Sequence, residues 1–275
     1  MAVTREDIEN ALGPCEDAQP IGSRGGSGEC WKVVQGGKAM ACKVVRNMSE
    51  PERFQREVTA MTRIQSPRVV SVVSHGDMAT ADDGRTNPYL LSEFLDGGDV
   101  RQNLAAQGTP SDPDLRAFLA ETLVGLETLH ANDIVHRDLK PENIVLRNGA
   151  WTDPVIIDLG LSRLLDASSL TVYPWTGGTW PYMAPEQLRA ERATDRTDMW
   201  ALAVVAAEIA AGTHPFWRGE PNPPADWDSR LRGGIAVPGT RPAALRDFVD
   251  RTGDYAGYRR PTAAAALELL NTAWP

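Results

Sequence analysis

The stretch I-V-H-R-D-L-K-P-E-N-I-V, residues 134–145, decides the reading of this chain. Its apolar end, Ile144–Leu146, reads as a short strand, and a second short strand is expected at Val155–Ile157. That second strand runs into V-I-I-D-L-G (155–160). Beyond it come G-T-W-P-Y-M-A-P-E (178–186), D-M-W-A-L (198–202) and R-R-P-T-A (259–263). Lys140 is one of only four lysines, with Lys32, Lys38 and Lys43, beside 24 arginines. In an alanine-rich chain this skew reads as genome bias, so any task left to a lysine stands out.

Working outward from that stretch, Leu115, Phe118, Leu119, Leu123, Leu126 and Leu129 predict a long amphipathic helix upstream. The pair Gly97-Gly98 breaks the pattern before it. Strands are expected at Tyr89–Phe94 and Val69–Ser74, separated by the polar loop D-M-A-T-A-D-D-G-R-T-N-P (77–88). Residues 51–65 carry a helical period through Phe54, Val58 and Met61. From Ile21 to Val45 strand formers alternate with glycines, predicting two or three strands, and Thr4–Gly13 reads as a short helix capped by Thr4. Downstream, Met199–Ala211 is apolar nearly all round, as in a buried helix, and Ala243–Asp250 and Thr262–Asn271 read as shorter helices. The expected class is α+β. A helical extension (1–13) precedes a strand-rich part with one helix (14–95) and a larger helical part (96–275), with a hinge near 93–98 and a ligand cleft beside it.

At 275 residues the length suits one large domain or two modest ones, and a chain 42% hydrophobic and 24% charged is not disordered. A net charge of -9 disfavours nucleic-acid or anionic-membrane binding, which needs a cationic footprint. Cys15, Cys30 and Cys42 form no C-x-x-C pair, which argues against a disulfide scaffold or zinc ribbon and for a reducing setting. The longest apolar run, 200–211, is interrupted by Glu208 and is too short to span a bilayer. The acidic N-terminus lacks an apolar signal core. These features predict a cytoplasmic protein.

Two further signals concern anions. I-G-S-R-G-G-S-G-E-C-W-K-V (21–33) is a glycine-rich turn between strands, where backbone N–H groups can approach a phosphate closely. Alone it equally describes an ordinary hairpin. Lys43 follows about 15 residues later between apolar Ala41, Cys42 and Val44. A lysine in an apolar strand needs an anionic partner, and Glu57, beside the apolar face of the 51–65 helix, is the candidate.

Residues 134–145 resemble the catalytic loop of protein kinases, and V-I-I-D-L-G resembles that family's Asp-Phe-Gly metal motif, with Leu159 in place of phenylalanine. The 178–186, 198–202 and 259–263 stretches are similar to later landmarks, so the likeness runs from about Ile21 to about Leu270 in the family's order. It implies the bilobal protein kinase fold and an ATP- and Mg²⁺-dependent enzyme, with Mn²⁺ as a possible substitute, acting on protein substrates. Asp138 would be the catalytic base and Lys140 would neutralise the transferred phosphate. Lys43, oriented by Glu57, would contact the α- and β-phosphates, and Asn143 and Asp158 would hold the metal. Gly25 and Gly28 match two loop glycines, whereas the first expected glycine falls on Ser23. Backbone groups of Glu93 and Leu95 would pair with adenine between Cys30, Ala41 and Val145. Lys140 and Thr179 point to Ser/Thr acceptors. Arg137 and Arg163 would form a phosphate pocket for an activation segment autophosphorylated at Thr171 or Thr176, through a transient homodimer. The resemblance further pairs Glu186 with Arg260 as scaffold and makes Asp198 an anchor for the catalytic loop. A catalytically silent pseudokinase scaffold is the alternative, and a small-molecule kinase a more remote one.

Overall fold

The coordinates are a computed structural model that describes residues 3–25, 28–45, 58–59, 61–80, 86–158 and 180–274. The expected helix 51–65 lies almost wholly outside the described residues. The chain divides into two units: of the described residues, one holds 3–65 and 70–94, the other 66–69, 95–158 and 180–274.

The first unit is a five-stranded antiparallel sheet of β1 (Asp17–Gly25), β2 (Gly28–Gln35), β3 (Lys38–Val45), β4 (Val72–Ala79) and β5 (Thr86–Glu93), in the order β1-β2-β3-β5-β4. Gly36 and Gly37 turn β2 into β3 with φ of 57° and 72°, the left-handed values that a two-residue hairpin demands. Strand alternation then separates two faces. Trp31, Val33, Met40, Cys42, Val44, Met78, Tyr89 and Leu91 enter one buried core, which leaves Cys30, Ala41 and Lys43 on the opposite face by register.

Helix α1 (Arg5–Leu12) is part of that core. Thr4 accepts from the Asp7 N–H at 3.1 Å while Asp7 accepts from the Thr4 N–H at 2.8 Å, a reciprocal cap. The helix places Ile8, fully buried, in the same cluster as Trp31 and Val33. Arg5 donates to the Cys15 carbonyl in the link to β1 at 3.0 Å, and Gln35 of β2 donates to that of Leu12 at 3.0 Å, tying the end of the helix to the sheet.

β1 begins at Asp17, four residues before the expected start. β4 also differs from its expected bounds. It runs on through His75-Gly76-Asp77-Met78, part of which reads as loop from composition, because the hairpin with β5 pairs Asp77 with Pro88 and Ala79 with Thr86. Met78 is fully buried there, and Asn87 donates to the Thr80 hydroxyl at 3.0 Å. Tertiary pairing overrides weak local propensity.

The second unit contains α2 (Val100–Gln107), α3 (Asp112–Ala131), the β6 (Ile144–Leu146) and β7 (Pro154–Ile156) hairpin, α4 (Pro185–Leu188), α5 (Asp195–Ala211), α6 (Trp227–Arg232), α7 (Ala243–Thr252) and α8 (Ala263–Ala273). The period of α3 buries every leucine predicted, and α5 is buried from Thr197 to Ala210. Helices α2, α4 and α6 are not legible as helices in the sequence. They are short and take their stability from packing. Asp99 caps α2 by accepting from the Gln102 N–H at 2.8 Å. Residues 66–69 join this unit because Val69 bridges to Ile156 and Arg68 pairs with Glu121 at 2.5 Å and with Asp153.

Two partly buried ionisable groups, Glu186 and His214, contribute to the acid stability of this unit. Arg260, with no exposed side-chain surface, grips Glu186 through two hydrogen bonds of 2.7 and 3.0 Å. Burial alone would push the Glu186 carboxyl up. The bonds and charge of Arg260 outweigh it and hold the group below the usual carboxylate range. His214 accepts from the Phe216 and Trp217 N–H groups at 3.1 and 2.8 Å. Burial, with the nearby charge of Arg101, pushes its imidazole down to about 3.

Truncating Ile8 to alanine should destabilise the first unit by about 2–4 kcal/mol, read as a shift of its urea midpoint. For His214 the folded pKa is depressed, so the unfolded chain takes up the proton first. Its contribution is complete above about pH 6.5 and is lost as pH falls toward the folded value. Urea titrations should therefore show a loss of about 2 kcal/mol from this group between pH 7 and 5, and His214→Asn should flatten that window. Glu186 acts lower. Its contribution holds above the unfolded value of about 4.3 and fades as pH falls through the lower folded one.

Candidate active site

The catalytic-type loop begins where α3 ends. Asp133 and Arg137 both take positive φ, 59° and 67°, which puts two sharp reversals into five residues. Asp198, fully buried on α5, holds the loop in place. Its Oδ2 accepts from the His136 N–H at 2.9 Å, its Oδ1 from the Arg137 N–H at 2.7 Å, and the His130 ring lies 2.8 Å from Oδ2. The His136 Nδ1 accepts from the Asp138 N–H at 3.3 Å, so its Nε2 carries the proton and donates to the Ile157 carbonyl at 2.9 Å. The loop is thus nailed to α5 on one side and to the end of β7 on the other.

Asp138, Lys140, Asn143 and Asp158 converge on this frame. Lys140 Nζ lies 3.1 Å from Asp138 Oδ2, and Asn143 Nδ2 donates to the Asp138 carbonyl at 2.7 Å and to Oδ2 at 3.1 Å. The other carboxylate oxygen, Oδ1, is buried and has no hydrogen-bond partner among the described residues. Register brings Asp158 close. Ile144 pairs with Ile156, the Ile157 N–H donates to the Asn143 carbonyl at 2.9 Å, and Asp158 follows with φ 61°. Asn143 commits its amide nitrogen, and its Oδ1 and the Asp158 carboxylate are hard oxygen donors by chemistry. Among the described residues no group of three or more metal-binding His, Cys, Asp or Glu side chains occurs. Two protein oxygens fit a magnesium-type ion, which completes its shell with water and phosphate oxygens.

In the first unit the face opposite the core carries Cys30, Ala41 and Lys43, with Cys30 directly across from Lys43 and Ser92 across from Ala41. Gly25 pairs with Gly28 at the end of the β1–β2 hairpin. Gly28 has φ 142°, and a Cβ there would lie 2.2 Å from the Val44 carbonyl oxygen, so only glycine fits. The misplaced first glycine has a structural counterpart. Pairing shifts between Ile21–Cys30 and Gly25–Gly28, so β1 bulges through 22–24 against Glu29 alone. Glu93 donates its N–H to the Ser71 carbonyl at 3.0 Å. Leu95, half-buried, opens the second unit, where Val145 is buried in β6. Glu57, Arg163, Thr171, Thr176 and Thr179 lie outside the described residues.

Sequence reasoning missed a polar network below the loop. Arg101 on α2 pairs with Glu142 at 3.0 Å, with Glu208 at 2.5 Å and with the Tyr182 hydroxyl, which itself donates to Glu208 at 2.6 Å. Burial and the Glu208 charge push the Tyr182 phenol far up, so it stays a donor. Gln187 Nε2 donates to the Arg137 carbonyl at 2.9 Å, joining α4 to the loop. The available signal was Glu208, the carboxylate that interrupts the apolar run 200–211, which a buried position obliges to find partners.

The profile of the protein kinase domain matches residues 15–274. The chain is 32% identical over 205 residues to the serine/threonine-protein kinase PknA of Mycobacterium tuberculosis, covering 72% of this chain and 47% of that protein. It is 28% identical over 186 residues to the probable serine/threonine-protein kinase PknB of Lactococcus lactis, covering 66% of this chain and 28% of that protein. This chain therefore spans less than half the length of these curated relatives. Among solved structures, Rad53 1-466 in complex with AMP-PNP superposes with a TM-score of 0.74 at 26% identity, over 92% of this chain and 64% of that one. The sheet unit followed by a helical unit, the anchored loop and the match along nearly the whole sequence agree: the chain belongs to the protein kinase domain family.

Proposed function

We propose that this chain is the catalytic domain of an ATP-dependent serine/threonine protein kinase. The observation that carries the reading is the Asp138 carboxylate. One oxygen is fixed by Lys140 and Asn143, and the other is buried without a donor among the described residues. An acceptor left dry costs free energy unless a ligand group bonds to it. A Ser or Thr hydroxyl meets that need: it donates to Oδ1, its oxygen attacks the γ-phosphorus, and its proton passes to Asp138 as the bond to the leaving ADP oxygen breaks. Lys140, already beside Asp138, neutralises the charge of the transferred group.

Asn143 and Asp158 are the residues proposed to hold the divalent ion, taken here as Mg²⁺ with Mn²⁺ as substitute, and the ion would neutralise phosphate charge when bound. Lys43 is proposed to contact the α- and β-phosphates with Glu57 as its partner. Gly25 and Gly28 would bring backbone N–H groups to the phosphates. Adenine would lie against Cys30, Ala41 and Val145, reaching the Glu93 carbonyl and the Leu95 N–H. A cytoplasmic setting is proposed for this domain from the spacing of its three cysteines in the sequence. Among the described residues no helix is long and apolar enough to cross a membrane.

Incubation with Mg²⁺ and ATP labelled at the γ-phosphate, with and without a generic basic protein, tests the activity. Label should move to protein Ser and Thr, and Lys43→Met or Asp138→Asn should each lower the rate by at least about 10²–10³-fold. Near-normal turnover in either variant would sink the assignment, and absence of transfer in the unaltered protein would favour a scaffold.

Activation is proposed to follow phosphorylation at Thr171 or Thr176, with Arg137 and Arg163 clamping the new phosphate through charge-assisted bonds. Autophosphorylation in trans would need a transient homodimer. Mass spectrometry of active enzyme should find phosphate on this segment, and the Thr171→Ala/Thr176→Ala double variant should lose most of its activity. Full activity in that variant would reject the switch.

A further inference from the structure

The second unit carries a concavity that the proposed chemistry does not use. The end of α4, the start of α5, the end of α6 and the link between α7 and α8 enclose a groove of about 610 Å³. Its walls bring together Arg189, Arg192, Arg196 and Arg232 with Tyr255 and Tyr258. Arg189, Arg196 and Arg232 are paired with Glu191, Asp195 and Asp228 in exposed or half-exposed ion pairs, so Arg192 supplies the uncompensated positive charge of the groove on a chain that carries -9 as a whole. Only two carboxylates line the groove, and one of them, Glu186, is committed to buried Arg260.

The cations are held in place. Arg189 is bonded to Glu191 at 2.7 and 3.1 Å and to the Tyr255 hydroxyl at 3.1 Å. Arg232 is bonded to Asp228 at 2.7 Å and lies 4.1 Å over the Tyr255 ring. Arg196 donates to the Arg260 carbonyl at 2.5 Å and pairs with Asp195 at 3.4 Å. Arg192 is exposed, and its side chain makes no ion pair or hydrogen bond among the described residues. At the rim Tyr258 is 83% exposed, the largest value for any large hydrophobic residue described. Positioned arginines around an aromatic floor favour a ligand with carboxylates and some apolar surface.

We propose that this groove docks an acidic, carboxylate-bearing segment of the protein substrate, outside the residue that is phosphorylated. The inference rests on the protein-kinase reading above. Volume and charge both select such an occupant. The space suits a few residues rather than a folded domain. A nucleic acid needs a cationic footprint wider than this groove, and the protein as a whole is acidic. The groove also has a short mechanical route to the reaction. Glu186 lines it, while the next residue, Gln187, donates to the Arg137 carbonyl directly before Asp138. A segment bound here is therefore held at a fixed offset from the catalytic loop, which raises the effective concentration of the acceptor.

The direct test is fluorescence anisotropy with a labelled ten-residue peptide rich in Glu and Asp around one aromatic residue, titrated with the Asp138→Asn protein without nucleotide. The same peptide with glutamine and asparagine at the acidic positions is the control. Binding should be seen for the acidic peptide alone, should weaken as salt is raised, and should drop at least about fivefold with Arg192→Glu or Tyr258→Ala, both exposed and so safe for the fold. In turnover, joining the acidic segment to a Ser/Thr peptide should lower KM with kcat unchanged. Arg192→Glu should remove that gain while leaving the untailed peptide unaffected.

Equal binding of the two peptides, or binding indifferent to both substitutions, overturns the proposal. So does tighter binding of a phosphoserine peptide than of its glutamate counterpart, which would make the groove a phosphate reader. Sedimentation showing that the peptide competes with self-association of the chain would assign the groove to a second copy instead. Because the binding arm needs no turnover, a protein that binds the acidic peptide but transfers no phosphate would fail the kinase reading and keep the docking site.

Discussion

The arrangement of the second unit depends on one buried carboxylate. Asp198 has no exposed surface, and an ion in that position persists only if each oxygen is met by donors. The donors are the N–H groups of His136 and Arg137 and the ring of His130. Meeting them forces the loop to fold back over α5 and leaves Arg137 at a positive φ that costs free energy when isolated. The geometry at Asp138, Lys140 and Asn143 follows from that anchoring, since all three hang from a backbone whose position Asp198 dictates.

Charge is used below the loop in the same manner. Arg101, Glu142, Glu208 and Tyr182 come from four different segments, and together they satisfy Glu208 and Tyr182, the two members that are buried. Such a network has few alternative arrangements in a low-dielectric interior, and it locks the segment after Trp180 to α2 and α5. Helix α4, a single turn, then divides two tasks between neighbouring residues. Glu186 closes the ion pair with Arg260 at the groove, and Gln187 holds the catalytic loop.

The first unit is organised by alternation. Residues two apart share a face of the sheet, so the apolar set Trp31, Val33, Cys42 and Val44 turns to the core and leaves Cys30, Ala41 and Lys43 opposite. Helix α1 completes that core. Cys42 shows the consequence: among apolar neighbours burial pushes its thiol up to about 12, so it packs as a small hydrophobe and is not a reactive group.

Much of this was readable from residue order. The loop motif from His136 to Asn143 was legible by resemblance, whereas period and capping at Thr4, the leucine stripe of α3 and the unbroken apolar run of α5 are local signals. Local sterics and solvation determine them wherever the segment lies. The bounds of β4, the helices α2, α4 and α6, the bulge in β1, and the partners of Arg101 and Tyr182 were decided otherwise. A polar stretch such as His75–Asp77 becomes a strand only because β5 offers hydrogen bonds. A glutamate such as Glu208 becomes part of a network only when chain segments more than a hundred residues apart meet. Sequence alone determined which elements are intrinsically favoured and which groups are candidates for the chemistry. The tertiary structure decided which buried polar groups share a partner, because satisfying them is a long-range requirement that no local window contains.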